Sequence, residues 1–259
     1  MHSRRAVVLF NLGGPDSLAA VEPFLTNLFS DPDILRVPLG WLVQKPLARY
    51  IARRRAPEAA KGYRAIGGRS PLLENTMAQA LALQQALSAN AAVRVAAGDR
   101  VQAPTHDSYD VFVCMRYWHP RAAAVVEQLK SGGYRNLVLL PLYPQYSVTT
   151  TGSSYNDFMR ACRAADYAPS VHLIHDWYQQ PDYQQAIVET LRQALRELPD
   201  PDPARVECLF SAHGLPQKFV RAGDPYEQQI RATYDSIRAQ LGWPRTTLCY
   251  QSRVGPLEC

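Results

Sequence analysis

Val206-Glu207-Cys208-Leu209-Phe210-Ser211-Ala212-His213-Gly214-Leu215-Pro216 decides how this chain is read. It opens as a short apolar run, which reads as a buried strand. It closes on a histidine, a glycine and a proline. In an open α/β sheet, ligands bind outside the carboxyl ends of the strands. His213 therefore falls where such a sheet places its chemistry. A lone histidine at that position also serves as a cap or a loop anchor, so its meaning rests on the rest of the chain.

Around this stretch, strand-like and helix-like runs alternate. Residues 6–12 read as a buried first strand, and Gly13-Gly14-Pro15-Asp16 as a tight turn into a helix. Gly-Gly here is neither Gly-x-Gly-x-x-Gly nor a P-loop. Tyr63 to Pro71 is a glycine loop with Ser70 as N-cap and Pro71 as first helical residue. Leu73, Met77, Ala80, Leu81, Gln84 and Leu87 give the next helix its buried face. Residues 90–109 read as a loop. Tyr109 to Met115 is a second strand, delivering Arg116-Tyr117-Trp118-His119-Pro120. A helix runs from Pro120 to Gly132-Gly133, and Asn136 to Leu142 is a third strand. Strand, helix and strand in that order imply a right-handed crossover and a parallel sheet. The loop from Tyr143 to Ser154 is dense in hydroxyls.

A boundary is expected at 165/166. It separates a first Rossmann-like domain, 1–165, from a second, 166–259. In the second, Val171 to Ile174 is a strand. Pro181 opens a helix with a face of Tyr183, Ile187, Thr190, Leu191, Ala194, Leu195 and Leu198. Asp224-Pro225-Tyr226-Glu227 has capping-box spacing. Thr246 to Tyr250 is the last strand. The fold class is α/β, two doubly wound domains with parallel sheets. No helix follows the last strand, so the second domain reads as incomplete.

Composition narrows the function. The 259 residues carry a formal net charge of +5, and apart from Lys45, Lys61, Lys130 and Lys218 the cations are arginines. Arginine suits carboxylate and phosphate partners. Nucleic acid is disfavoured, because the arginines are scattered and no module signature accompanies them. Five cysteines show no paired spacing, which argues against a disulfide framework, a structural zinc or an iron–sulfur cluster. No apolar run is long enough to span a membrane. The expected location is the cytoplasm. Residues 20–55 pair an apolar stretch (Phe24, Leu25, Leu28, Phe29, Ile34, Leu35, Tyr50, Ile51) with Arg53-Arg54-Arg55. That pattern suits a membrane interface or an oily ligand, and a core helix pair equally.

Taken in order, Asn11 to Pro15, Tyr63 to Pro71, Met115 to Tyr117, Tyr143 to Tyr146, Ser211 to Pro216, Gly223 to Tyr226 and Gln251 to Pro256 closely resemble the ferrochelatases. The likeness runs from about residue 6 to residue 258. It implies two chelatase-type domains with a porphyrin cleft between them, and a lyase that inserts ferrous iron into protoporphyrin IX. Carried over residue by residue, His213 matches the active-site histidine, as proton acceptor or metal ligand. Arg116 and Tyr117 match the opposite wall, and Leu12 an apolar contact. Tyr63 and Ser70 match holders of the porphyrin's acidic edge, and Arg54 and Arg55 basic residues at the mouth. Segment 20–55 matches an oily lip, with peripheral contact to the inner face of a membrane. The partners implied are protoporphyrin IX and Fe2+, the iron as substrate, with no tightly bound cofactor.

In the family the run after Pro256 goes on to a tryptophan, a strand with the acidic residue facing the histidine, and a helix. Against that pattern the chain reads as truncated at Cys259, and Glu258 is not the acidic residue's equivalent. The alternative expectation is a non-catalytic porphyrin-binding remnant. A third, an unrelated α/β domain binding a phosphorylated ligand, lacks its fingerprints.

Overall fold

A computed structural model describes residues 4–35, 40–96 and 109–252. The chain divides into two compact units: residues 1–143 with 149–175, and residues 144–148 with 176–259.

The first unit is built on β1 (Arg4–Asn11), β2 (Tyr109–Met115), β3 (Tyr134–Pro141) and β4 (Ser170–Leu173), in spatial order β2-β1-β3-β4. Every pair is parallel. Helices α1 (Val21–Phe29), α2 (Gly40–Ala65) and α3 (Leu72–Ala96) connect β1 to β2; α4 (Ala122–Ser131) and α5 (Ser153–Ala164) make the later crossovers. β1 shows why both faces are covered. Side chains alternate along a strand, so Ala6, Val8 and Phe10 pack with Val125, Val126 and Leu129 of α4 and Phe158 of α5. Val7 and Leu9 point the other way, toward Ala80 of α3. Continuous apolarity in 6–10 is thus the mark of a strand buried on two sides. The chain leaves β1 for one neighbour and later fills the other side with β3. The switch point between them is where open sheets bind ligands.

The second unit holds α6 (Pro181–Arg196), β5 (Cys208–His213), the short α7 (Gln217–Arg221), α8 (Tyr226–Leu241) and β6 (Thr246–Gln251). β5 and β6 pair in parallel. Their core is Val188, Ile237 and Leu241, with Ile187, Leu191, Phe210 and Trp243 packed against it. Gly242 ends α8 in a left-handed conformation at φ +65°, as its position predicts. The loop at 144–148 is fixed to α8 by polar contacts. Gln145 donates to Thr233 Oγ1 at 3.0 Å, and the Tyr146 N–H to Gln229 Oε1 at 2.7 Å. Asp224 Oδ2 accepts from Ser147 Oγ at 2.9 Å and the Val148 N–H at 2.8 Å, while Oδ1 accepts the Tyr226 N–H at 3.0 Å. One carboxylate thus caps α8 and ties down the loop. Asp224→Ala removes both acceptor oxygens, and with them all three hydrogen bonds, and is expected to cost about 1–3 kcal/mol. Urea unfolding checks this, and an unchanged midpoint would refute it.

The parallel α/β class holds, with three local corrections. α3 continues to Ala96, into the stretch expected as a loop; residues 97–108 lie outside the described residues. Met77 and Leu81 are exposed, and the covered face of α3 is Leu73, Ala80, Leu83 and Leu87. On α6, Thr190 and Ala194 are exposed and Val188 is the buried residue; Leu198, also exposed, lies beyond the helix end. The covered arc is narrower than periodicity suggested in both helices, against the sheet for α3 and against α8 for α6. β4, expected after the 165/166 boundary, pairs with β3 in the first unit's sheet. Residues 36–39 of the expected lip and the Arg253–Cys259 stretch lie outside the described residues.

Candidate active site

The first unit gathers most of the expected residues at the carboxyl edge of its sheet. After β1 the chain turns through Leu12, Gly13 and Gly14. The Arg116 N–H donates to the Asn11 carbonyl at 2.8 Å and the Tyr117 N–H to the Leu12 carbonyl at 2.9 Å. The Asn11 side chain braces this turn, donating to Thr76 Oγ1 at 2.9 Å and accepting the Leu12 N–H at 2.8 Å. Leu12, Tyr63 and Trp118 pack as half-buried neighbours around the Tyr117 cluster. Burial raises the Tyr63 phenol pKa, so the hydroxyl stays protonated as a donor.

Gly14 explains the Gly-Gly pair. A Cβ there would sit 2.5 Å from Ser70 Cβ. The Ser70 N–H donates to the Pro15 carbonyl at 2.8 Å, and Ser70 Oγ accepts the Leu72 N–H at 3.3 Å as α3's cap. Absence of a side chain at Gly14 therefore lets the Ser70 loop close on the first strand's turn. Gly14→Ala is expected to cost about 1–3 kcal/mol by overpacking. Adding Ser70→Gly should recover most of that loss. Melts of the two variants decide the point, and additive losses would rule out this contact as the cause.

Arg116 and Tyr117 are not open surface. They are 6% and 0% exposed, and they join a buried polar cluster. Arg116 Nη2 lies 2.9 Å from Asp31 Oδ2 and Nη1 3.4 Å from Asp157. Its Nε donates to Ser153 Oγ at 2.7 Å. The Tyr117 hydroxyl donates to Asp31 Oδ2 at 2.6 Å, and Ser153 Oγ donates to the same oxygen. Desolvation, and then the Asp31 charge, push the Tyr117 pKa up. Arg54 and Arg55 are exposed on α2, with Arg54 stacked over the Tyr50 ring at 5.3 Å.

His213 belongs to the second unit, as the last residue of β5. Burial alternates along this strand: Cys208, Phe210 and Ala212 face inward, and Leu209, Ser211 and His213 outward. The expected fully buried strand is thus covered on one face, with the imidazole on the other. Its Nδ1 lies 2.9 Å from the Gly214 carbonyl oxygen. A carbonyl only accepts, so Nδ1 carries the proton and neutral His213 keeps its lone pair on Nε2. The Gly214 N–H donates to the Gln251 carbonyl at 2.6 Å, which fixes that acceptor on β6. Among the described residues no group of three or more His, Cys, Asp or Glu could hold a metal ion.

Sequence reading missed Asp31, Ser153 and Asp157. Ser153 stood in the hydroxyl-rich loop from Tyr143 to Ser154, with no role of its own. A buried charge needs a partner, so a strand-end arginine among apolar residues was the signal to seek a distant carboxylate.

A family model described as Ferrochelatase matches residues 4–258. A curated protein named Ferrochelatase from Synechococcus sp. (strain JA-3-3Ab) is 46% identical over 99% of this chain and 71% of its own length. The Ferrochelatase of Gloeobacter violaceus is 44% identical over 97% of this chain and 73% of its own. That of Synechocystis sp. is 43% identical over 98% of this chain and 62% of its own.

Proposed function

This chain belongs to the ferrochelatase family, lyases that place ferrous iron in protoporphyrin IX to form haem, and we propose that His213 receives the protons which leave the porphyrin ring. Free-base porphyrin holds two N–H protons where the metal must go. Four Fe–N bonds form as the two protons leave one after the other, so insertion needs a base beside the ring that passes each proton on to solvent. A neutral imidazole accepts a proton near neutral pH. The observation that carries this reading is the hydrogen bond from Nδ1 to the Gly214 carbonyl. It commits Nδ1 as donor and leaves Nε2 as acceptor. The same lone pair could ligate the incoming iron. A protonated nitrogen cannot, so one imidazole does not hold a proton and the iron at the same time on Nε2.

The first unit's residues are read as the substrate-binding set. Leu12 gives apolar contact, and Tyr63 and Ser70 offer hydroxyls to the porphyrin's carboxylates. Arg54 and Arg55 supply charge for the same groups. Arg116 and Tyr117 hold the Met115–Trp118 segment rigid behind the ligand. Binding energy made on the periphery bends the flat ring toward a metal-accepting form. This reading gives the chain no tightly bound cofactor, with iron entering as substrate. Exposed Leu42, Val43 and Tyr50 on α2 support a peripheral membrane contact at the cytoplasmic face. No helix among the described residues is long and apolar enough to cross a membrane.

The test is an anaerobic insertion assay run beside a porphyrin titration. Haem formation at the rate of a catalyst is expected. Porphyrin binding without insertion would favour the remnant reading, which the family match does not.

A further inference from the structure

A basin of about 520 Å³ opens in the first unit. Lys45 and Arg49 reach it from α2, Arg121 from the N-cap of α4, and Arg160 from α5; Arg116 lies in its floor. Two carboxylates, Asp31 and Asp157, share the lining. Both are engaged: Asp31 by Arg116, Tyr117 and Ser153, and Asp157 by Arg116 and Arg160. Among the described residues no carboxylate pairs with Lys45, Arg49 or Arg121. Lys45 and Arg49 stand four residues apart on one helix face, where like charges repel. Their convergence with Arg121 raises the potential inside a concave surface.

We propose that this basin binds a small polyanion bearing at least two oxyanion groups, of the phosphate or carboxylate class. Three uncompensated cations on two elements match two charged groups better than one. Arginine's planar donors take a phosphate or carboxylate oxygen pair directly. The volume admits an organic body of drug-like size between the charges. The basin lies wholly on the first unit, and none of the three cations without a carboxylate partner belongs to the porphyrin set; Arg121 meets only the Asn27 amide oxygen, at 3.4 Å.

Calorimetric titration of the full chain with pyrophosphate, and separately with citrate, tests this. Lys45 and Arg49 are exposed, so Lys45→Gln/Arg49→Gln keeps the fold. Wild type is expected to bind at least one probe at a single site, more weakly as salt rises. Stronger pyrophosphate binding assigns the phosphate class, and stronger citrate binding the carboxylate class. The double variant should lose about tenfold or more in affinity, with its porphyrin titration unchanged. Absence of binding by either probe at millimolar concentration would overturn the proposal. So would equal affinity in the variant. A parallel fall in porphyrin affinity would assign the basin to the porphyrin's own carboxylates and defeat it as well.

Discussion

His213→Ala loses iron insertion by about 10²–10⁴-fold while protoporphyrin still binds with near wild-type affinity. The range is what a positioned general base contributes. The residue is exposed at the end of β5, so its truncation opens no cavity in the Val188–Ile237–Leu241 core. Stability should therefore move by less than about 0.5 kcal/mol, as for surface positions. The loss then falls on turnover and leaves binding intact, the signature of an interaction made during reaction. Full turnover in the variant would remove His213 from the chemistry. Equal loss of binding and turnover would make it a contact residue.

The second large effect is on stability. Asp31→Ala strips the buried Arg116 of its closest carboxylate and leaves the Tyr117 and Ser153 hydroxyls without their acceptor. Breaking a buried pair from one side costs about 3–5 kcal/mol, because the surviving charge stays desolvated. Asp157 at 3.4 Å compensates in part, which places the expectation near the lower end. Asp33, two residues on, offers the control. Its contact with the partly exposed Arg160 is 3.9 Å, and Asp33→Ala should cost less than about 1 kcal/mol. Paired thermal melts read both. Similar losses at the two positions would mean that the Arg116 cluster is not what holds the first unit's edge.

The strands were most legible where an apolar run of strand length is bounded by turn residues, as in β1, β2 and β3. β2 falls where the sequence places it, from Tyr109 to Met115. Helix starts at Pro181 and stops at Gly242 were legible from the backbone limits of proline and glycine. Helix faces were less so. Met77 and Leu81 have the right spacing and the wrong direction, since periodicity gives a stripe without saying which part of it the sheet covers. In the candidate site, His213 at the end of its strand and Ser70 as the cap of α3 followed from local chemistry; the closure of Ser70 on Gly14 did not. The Asp31–Arg116–Ser153 cluster did not. Its members are separated by 122 residues between Asp31 and Ser153, and only the fold joins them.

Proton acceptance by His213 requires that Nε2 be the free ring nitrogen. Nitrogen-resolved NMR of the wild-type chain, at a pH where the imidazole is neutral, reads this directly. A pyrrole-type signal at Nδ1 and a pyridine-type signal at Nε2 are predicted. The reverse assignment, with the proton on Nε2, would put the lone pair on Nδ1, against the Gly214 carbonyl oxygen, and contradict the mechanism.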